Sequence, residues 1–169
     1  MVDYLRSRLK PGELSALQQR LVSTDGITRS MDGHQRIGAK MMCPLLVDGK
    51  CLSYPLRPIA CRVYHTLNRS DCEALLEKPG GNVTIRRDIF GLSMGILAGL
   101  TEGLHAIGLP TRLLELTAGL RIAMDDPGSG LAQSWLSAEP AFVEAELANA
   151  QQIESFHRAL VEELGEALR

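Results

Sequence analysis

Apolar positions recur at helical intervals along most of this chain. Ile85, Ile89, Leu92, Ile96, Leu100, Leu104 and Ile107 follow one another at steps of three or four residues, which draws one face of a long helix that should stop at Gly108 before Pro110. Upstream, Leu14, Leu17 and Leu21 mark an amphipathic helix over Pro11 to Val22, with Pro11 in its first turn and Glu13 near the positive end of the dipole. A short helical piece ending near Leu9 precedes it. From Thr24 to Lys40 the chain is polar and interrupted by Gly26, Gly33 and Gly38, so only a weak helix is expected there. Leu113, Leu116, Leu120 and Ala123 predict a further helix before the Asp125-Asp126-Pro127-Gly128 break, and a short one around Leu131 to Leu136 carries Trp135. After Pro140, the residues Ile153, Phe156, Leu160, Leu164 and Leu168 outline a closing amphipathic helix, with Glu154, Arg158, Glu162 and Glu163 on its other faces.

The helical period breaks in one place. In Leu45-Leu-Val-Asp-Gly-Lys-Cys-Leu-Ser53, the pair Asp48-Gly49 separates two short apolar runs, a strong signal for a two-residue hairpin. The expected fold is therefore mainly α: an irregular helical domain with a small β-hairpin in a cysteine-rich segment. It reads as a single domain over 1–169, made of a helical arm (1–40), the cysteine segment (41–80) and a helical region (83–169).

The long helix carries Gly91, Gly95, Gly99 and Gly103 at four-residue intervals, each less favourable than Ala by about 1 kcal/mol. Close packing along this ridge would compensate, so the helix is expected to be the buried centre of the domain, against another helix or a second copy. Its longest apolar run, Ile89 to Thr101, falls short of the roughly 20 residues a bilayer span needs, and no membrane partner is expected.

Charge narrows the function classes. Eighteen Lys and Arg against twenty Asp and Glu leave a net charge of −2, which gives no electrostatic reason for binding nucleic acid. The first ten residues have no apolar signal core, so the cytoplasm is the expected compartment. There is no P-loop, no G-x-G-x-x-G after a strand, no H-E-x-x-H and no G-x-S-x-G.

The main chemical signal is Cys43, Cys51, Cys61 and Cys72, all of the cysteines, within one 30-residue window. Four thiolates complete a tetrahedral zinc site or hold one iron–sulfur cluster. The spacing C-x7-C-x9-C-x10-C does not choose between them. Pro58 should start a helix with Cys61 in its first turn, and Ser70-Asp-Cys72-Glu73 reads as a capping box opening another. Both sulfurs would then lie where a helix N-terminus favours thiolate. Arg57 and Arg62 flank Cys61 and suit a supporting role, balancing the −2 charge that four thiolates leave around Zn²⁺ or a [4Fe–4S]²⁺ cluster. His65 is a candidate substitute ligand. Two other readings compete with a metal protein. One is a helical interaction module, binding a protein partner or a second copy through the glycine ridge or the C-terminal helix, with the cysteines structural or vestigial. The other is a thiol redox or sensor protein.

The block Cys43-Pro-Leu-Leu-Val-Asp-Gly-Lys-Cys51-Leu-Ser-Tyr-Pro-Leu-Arg57-Pro58-Ile-Ala-Cys61-Arg62 resembles the signature of the YkgJ-type cysteine-cluster family, described as zinc- or iron-chelating proteins. The shared pattern is a C-P-[FL]-L start, a second Cys followed by a Tyr, then R-P-x-x-C-R. Tyr64-His65 and Asp71-Cys72 continue it. The resemblance implies a metal or cluster held by these cysteines. Family members generally carry another cysteine cluster about one helix upstream, whereas this sequence has no cysteine before position 43; its first residues resemble the helix that follows that cluster, as in a truncated or reduced variant. A site drawing on upstream ligands would be incomplete here. The expectation is that the four cysteines present retain partial competence.

Overall fold

A computed structural model describes residues 1–63, 65–77, 84–128 and 130–146, apart from the side chains of His34, Ile37, Cys72, Leu75 and Leu76. The closing helix expected over 153–168 lies outside these residues, as does Tyr64. The fold is mainly helical with one small antiparallel hairpin.

The N-terminal helices α1 (Val2–Arg8) and α2 (Pro11–Thr28) pack against α7 (Leu116–Asp125). Leu5, Leu17, Leu21, Leu45, Leu120 and Met124 form the core between them. Lys10 caps α2, its backbone N–H donating to Glu13 Oε2 at 2.8 Å, with Pro11 in the first turn, where a missing N–H costs nothing. α2 runs past the expected stop at Val22 and through Gly26, because Asp25 and Thr28 on its last turns are themselves buried. The polar stretch beyond it holds only the short α3 (Gly33–Gly38).

The hairpin is present as expected. β1 (Leu46–Val47) pairs antiparallel with β2 (Lys50–Cys51), in the register Leu46 to Cys51 and Val47 to Lys50. Asp48 and Gly49 both take positive φ, +48° and +71°, as a two-residue turn matching the strand twist requires. Leu45, just before β1, inserts into the core, so the hairpin is seated on the α1–α2–α7 unit.

A 3-10 turn (Tyr54–Leu56) leads to α4 (Ala60–Val63), then α5 (Arg69–Glu77) and α6 (Arg87–Ala106). α4 packs on α6, and Val63, Gly91 and Met94 are the buried residues of these two helices. The start of α5 differs from the capping box expected at Ser70. Asn68 does the capping instead: its Oδ1 accepts from the Ser70 backbone N–H at 3.1 Å and from Ser70 Oγ at 2.9 Å, while Glu73 pairs with Arg69 at 2.6 Å.

α6 has the expected extent but not the expected surroundings. Gly91 is buried, yet a Cβ added at Gly95, Gly99 or Gly103 would meet nothing within 4 Å. Leu92, Ile96, Leu100 and Ile107 are 67, 54, 52 and 71% exposed. The helix is thus not the buried centre of the described fold, and the ridge is not packed there. One face rests on α4; among the described residues nothing covers the opposite apolar face. At 20 residues α6 is, unlike the shorter run expected from the sequence, long and apolar enough by length and composition to cross a bilayer, a test that helices of soluble proteins also pass.

After Gly108, whose φ of +77° turns the chain, residues 109–115 form neither helix nor strand apart from a bridge at Leu114. α7 begins at Leu116 rather than at Leu113, because Glu115 is its cap, with Oε2 accepting from the Ala118 N–H at 2.7 Å. α8 (Gly130–Leu136) follows the Asp126–Pro127–Gly128 turn, and a second 3-10 turn (Val143–Ala145) returns the chain to α7. Leu114 and Glu146 form an antiparallel bridge there.

Candidate metal centre

The hairpin and the two short helical turns after it set the positions of the cysteines. Cys43 is exposed and opens the turn into β1, its carbonyl accepting from the Leu46 N–H at 2.9 Å. This turn is tied to α2 by Arg20, whose Nε donates to the Pro44 carbonyl at 3.0 Å. Cys51 is half-buried on β2 and packs against the core. Its Sγ lies 3.6 Å from the Oγ of Ser53, a serine fully withdrawn from solvent. Cys61 is exposed in the first turn of α4.

These three thiols share one electrostatic neighbourhood. Partial desolvation and the nearby Cys43 and Cys51 push the Cys61 thiol pKa up, while Arg57 and Arg62 pull it down and are outweighed. This corrects the expectation that the helix N-terminus leaves Cys61 as a ready thiolate. A four-residue helix has little dipole to offer, and thiols already grouped together disfavour one another's ionisation.

The two arginines are placed by local contacts. Arg62 donates from Nε to the Arg57 carbonyl and from Nη2 to the Pro55 carbonyl, both at 3.0 Å. It thereby locks the 54–62 turn. The Arg57 guanidinium stacks over the Tyr54 ring at 3.9 Å from the centroid. Its Nε is buried and finds no acceptor among the described residues. Buried donors are rarely left unpaired, so an unpaired one beside grouped thiols suits a site whose charge rises when an anionic centre forms.

Cys72 lies in the first turn of α5, and its side chain is outside the description. His65 is exposed, and its carbonyl accepts from the Arg86 N–H at 2.8 Å. Among the described residues no three of His, Cys, Asp and Glu stand close enough together to hold a metal ion. The arrangement brings Cys43, Cys51 and Cys61 into a common neighbourhood without closing them into a coordination shell. In donor chemistry the set suits a thiophilic ion. Sequence reasoning missed Ser53 and Tyr54 as supports, although Tyr54 stands three residues before Arg57, a spacing from which one side chain can cover another.

Comparison with protein-family models, with curated proteins and with solved structures finds no match for this chain.

Proposed function

We propose that this protein binds a thiophilic metal centre, zinc or an iron–sulfur cluster, through Cys43, Cys51 and Cys61, with Cys72 as fourth ligand and with Arg57 and Arg62 balancing the charge. The observation that carries this reading is the shared electrostatic neighbourhood of three cysteines from separate local elements: the turn before β1, β2 itself, and α4. The exposure of Cys43 and Cys61 leaves their sulfurs accessible to an incoming ion. Thiolate sulfur suits both candidates, and such a centre supplies either a fixed structural crosslink or one-electron chemistry.

Elemental analysis and an absorption spectrum of anaerobically purified full-length protein test the proposal. About one equivalent of zinc, or iron with a broad band near 400 nm, is expected. Cys61→Ser should abolish the signal, because removing one ligand of four opens the shell. Protein that purifies metal-free and takes up neither zinc nor iron on anaerobic reconstitution would overturn it in favour of an interaction module.

A further inference from the structure

Two cavities adjoin at Trp135. One, of about 350 Å³, lies between α1, α7, α8 and the turn that joins α7 to α8. The other, of about 420 Å³, lies between the segment before α7, the end of α8 and residues 138–146. Leu114, Trp135 and Phe142 line both, so the two are halves of one groove. Each half falls in the size range of small-molecule sites.

The wall of the second half is set by unusual backbone. Ala138 and Phe142 take φ of +56° and +60°, a left-handed conformation that residues other than glycine seldom adopt. Ala138 closes α8: its N–H donates to the Trp135 carbonyl at 3.1 Å, and the Glu139 N–H donates to the Ser134 carbonyl at 2.9 Å. Glycine is the usual residue at such a helix end. Between the two left-handed residues the chain rounds Pro140, which brings Glu139 and Phe142 into the cavity wall that Trp135 also lines.

Six charged side chains line the groove, and four of them are engaged. Arg6 Nη2 donates to the Met124 and Asp126 carbonyls at 3.1 and 2.6 Å. The Asp126 carboxylate accepts from the Gly128 and Leu131 backbone N–H groups, and Arg112 pairs with Glu146. The carboxylates of Asp3 and Glu139 are exposed and make no hydrogen bond or ion pair among the described residues. The charge left over is therefore negative in both halves, beside aromatic rings whose faces attract cations. We propose that the groove binds a small organic cation, an ammonium group on an apolar body, with the ammonium at Glu139 and the body against Trp135, Leu114 and Phe142. No residue of the groove belongs to the cysteine centre, so this inference does not rest on the metal proposal.

Trp135 is the one tryptophan of the chain, and its emission reports on the groove directly. Full-length protein is titrated at constant ionic strength with phenethylammonium, with neutral phenethyl alcohol and with anionic phenylacetate. The ammonium should give a saturable change in emission, with an affinity about fivefold above that of the alcohol, as expected for one exposed ion contact, and phenylacetate should give none. Glu139→Gln should bring the ammonium down to the affinity of the alcohol while leaving alcohol binding unchanged, an outcome that a general loss of structure would not produce. Asp3→Asn, in the other half, should have the smaller effect. Equal affinity for ammonium and alcohol, saturable binding of phenylacetate, a larger loss at Asp3 than at Glu139, or no saturable response to the ammonium would each overturn the proposal.

Discussion

Asp25 is withdrawn from solvent on α2, where the guanidinium groups of Arg29 and Arg121 both meet its Oδ2, the second at 2.7 Å. Arg121 continues to Glu144 at 3.0 Å, so a single carboxylate joins α2, α7 and the 3-10 turn after α8. Asp25→Ala should cost about 3 kcal/mol in denaturant unfolding, because it strips the partner from a buried pair. A change below about 1 kcal/mol would place the network with ordinary surface pairs. At Cys61, desolvation comes first among the causes that raise the thiol pKa, followed by the two neighbouring cysteines. Metal-free protein should therefore react with iodoacetamide at Cys61 more slowly near pH 8 than a free thiol does, with the rate still climbing above pH 9, and Arg57→Ala should slow it further by removing a charge that favours thiolate. The sign for folding follows. A raised folded-state pKa keeps the thiol protonated, so its contribution to stability is present below the ordinary thiol pKa and is lost as pH rises through the folded value. Mass-spectrometric alkylation rates across pH check both statements.

Among the elements, those whose determinants are local were legible in advance. The hairpin follows from Asp48-Gly49, because few other residue pairs accept two consecutive positive φ values. The bounds of α6 follow from its period and from Gly108. The cap of α5 was misplaced by two residues because Asn68 and Ser70 are both competent caps, and the choice rests on backbone geometry that sequence does not carry. The long tail of α2 escaped notice because Asp25 and Thr28 look like surface residues until Arg121 arrives from nearly a hundred residues away. The surroundings of α6 were the largest error. Periodicity reveals an apolar face but not what covers it, and the described fold leaves that face open. Gly95 sits about 120° round the helix from the middle of that face, and no described residue lies near its Cβ position. Gly95→Ala should consequently raise stability by about 1 kcal/mol through helix propensity alone, read as a higher denaturant midpoint.

For the whole molecule, clustering of the cysteines was visible in the sequence, whereas the supports of the individual thiols were not. Cys51 packs against the core of α1, α2 and α7, while Cys61 belongs to α4, which rests on α6. The candidate centre thus straddles two packing units, one built from the two ends of the described chain and the other from its middle. An ion bound to both would act as a rivet, carrying load from one unit to the other. Scanning calorimetry of the metal-loaded protein should then show one cooperative transition, and prior treatment with a chelator should split it into two, the α4–α6 unit melting first. An unsplit transition after complete metal removal would show that direct contacts already bind the units together. The split would make metal supply a control on the lifetime of the chain: in a metal-poor cell the α4–α6 unit would open on its own and offer its backbone to proteases while the first unit remained folded.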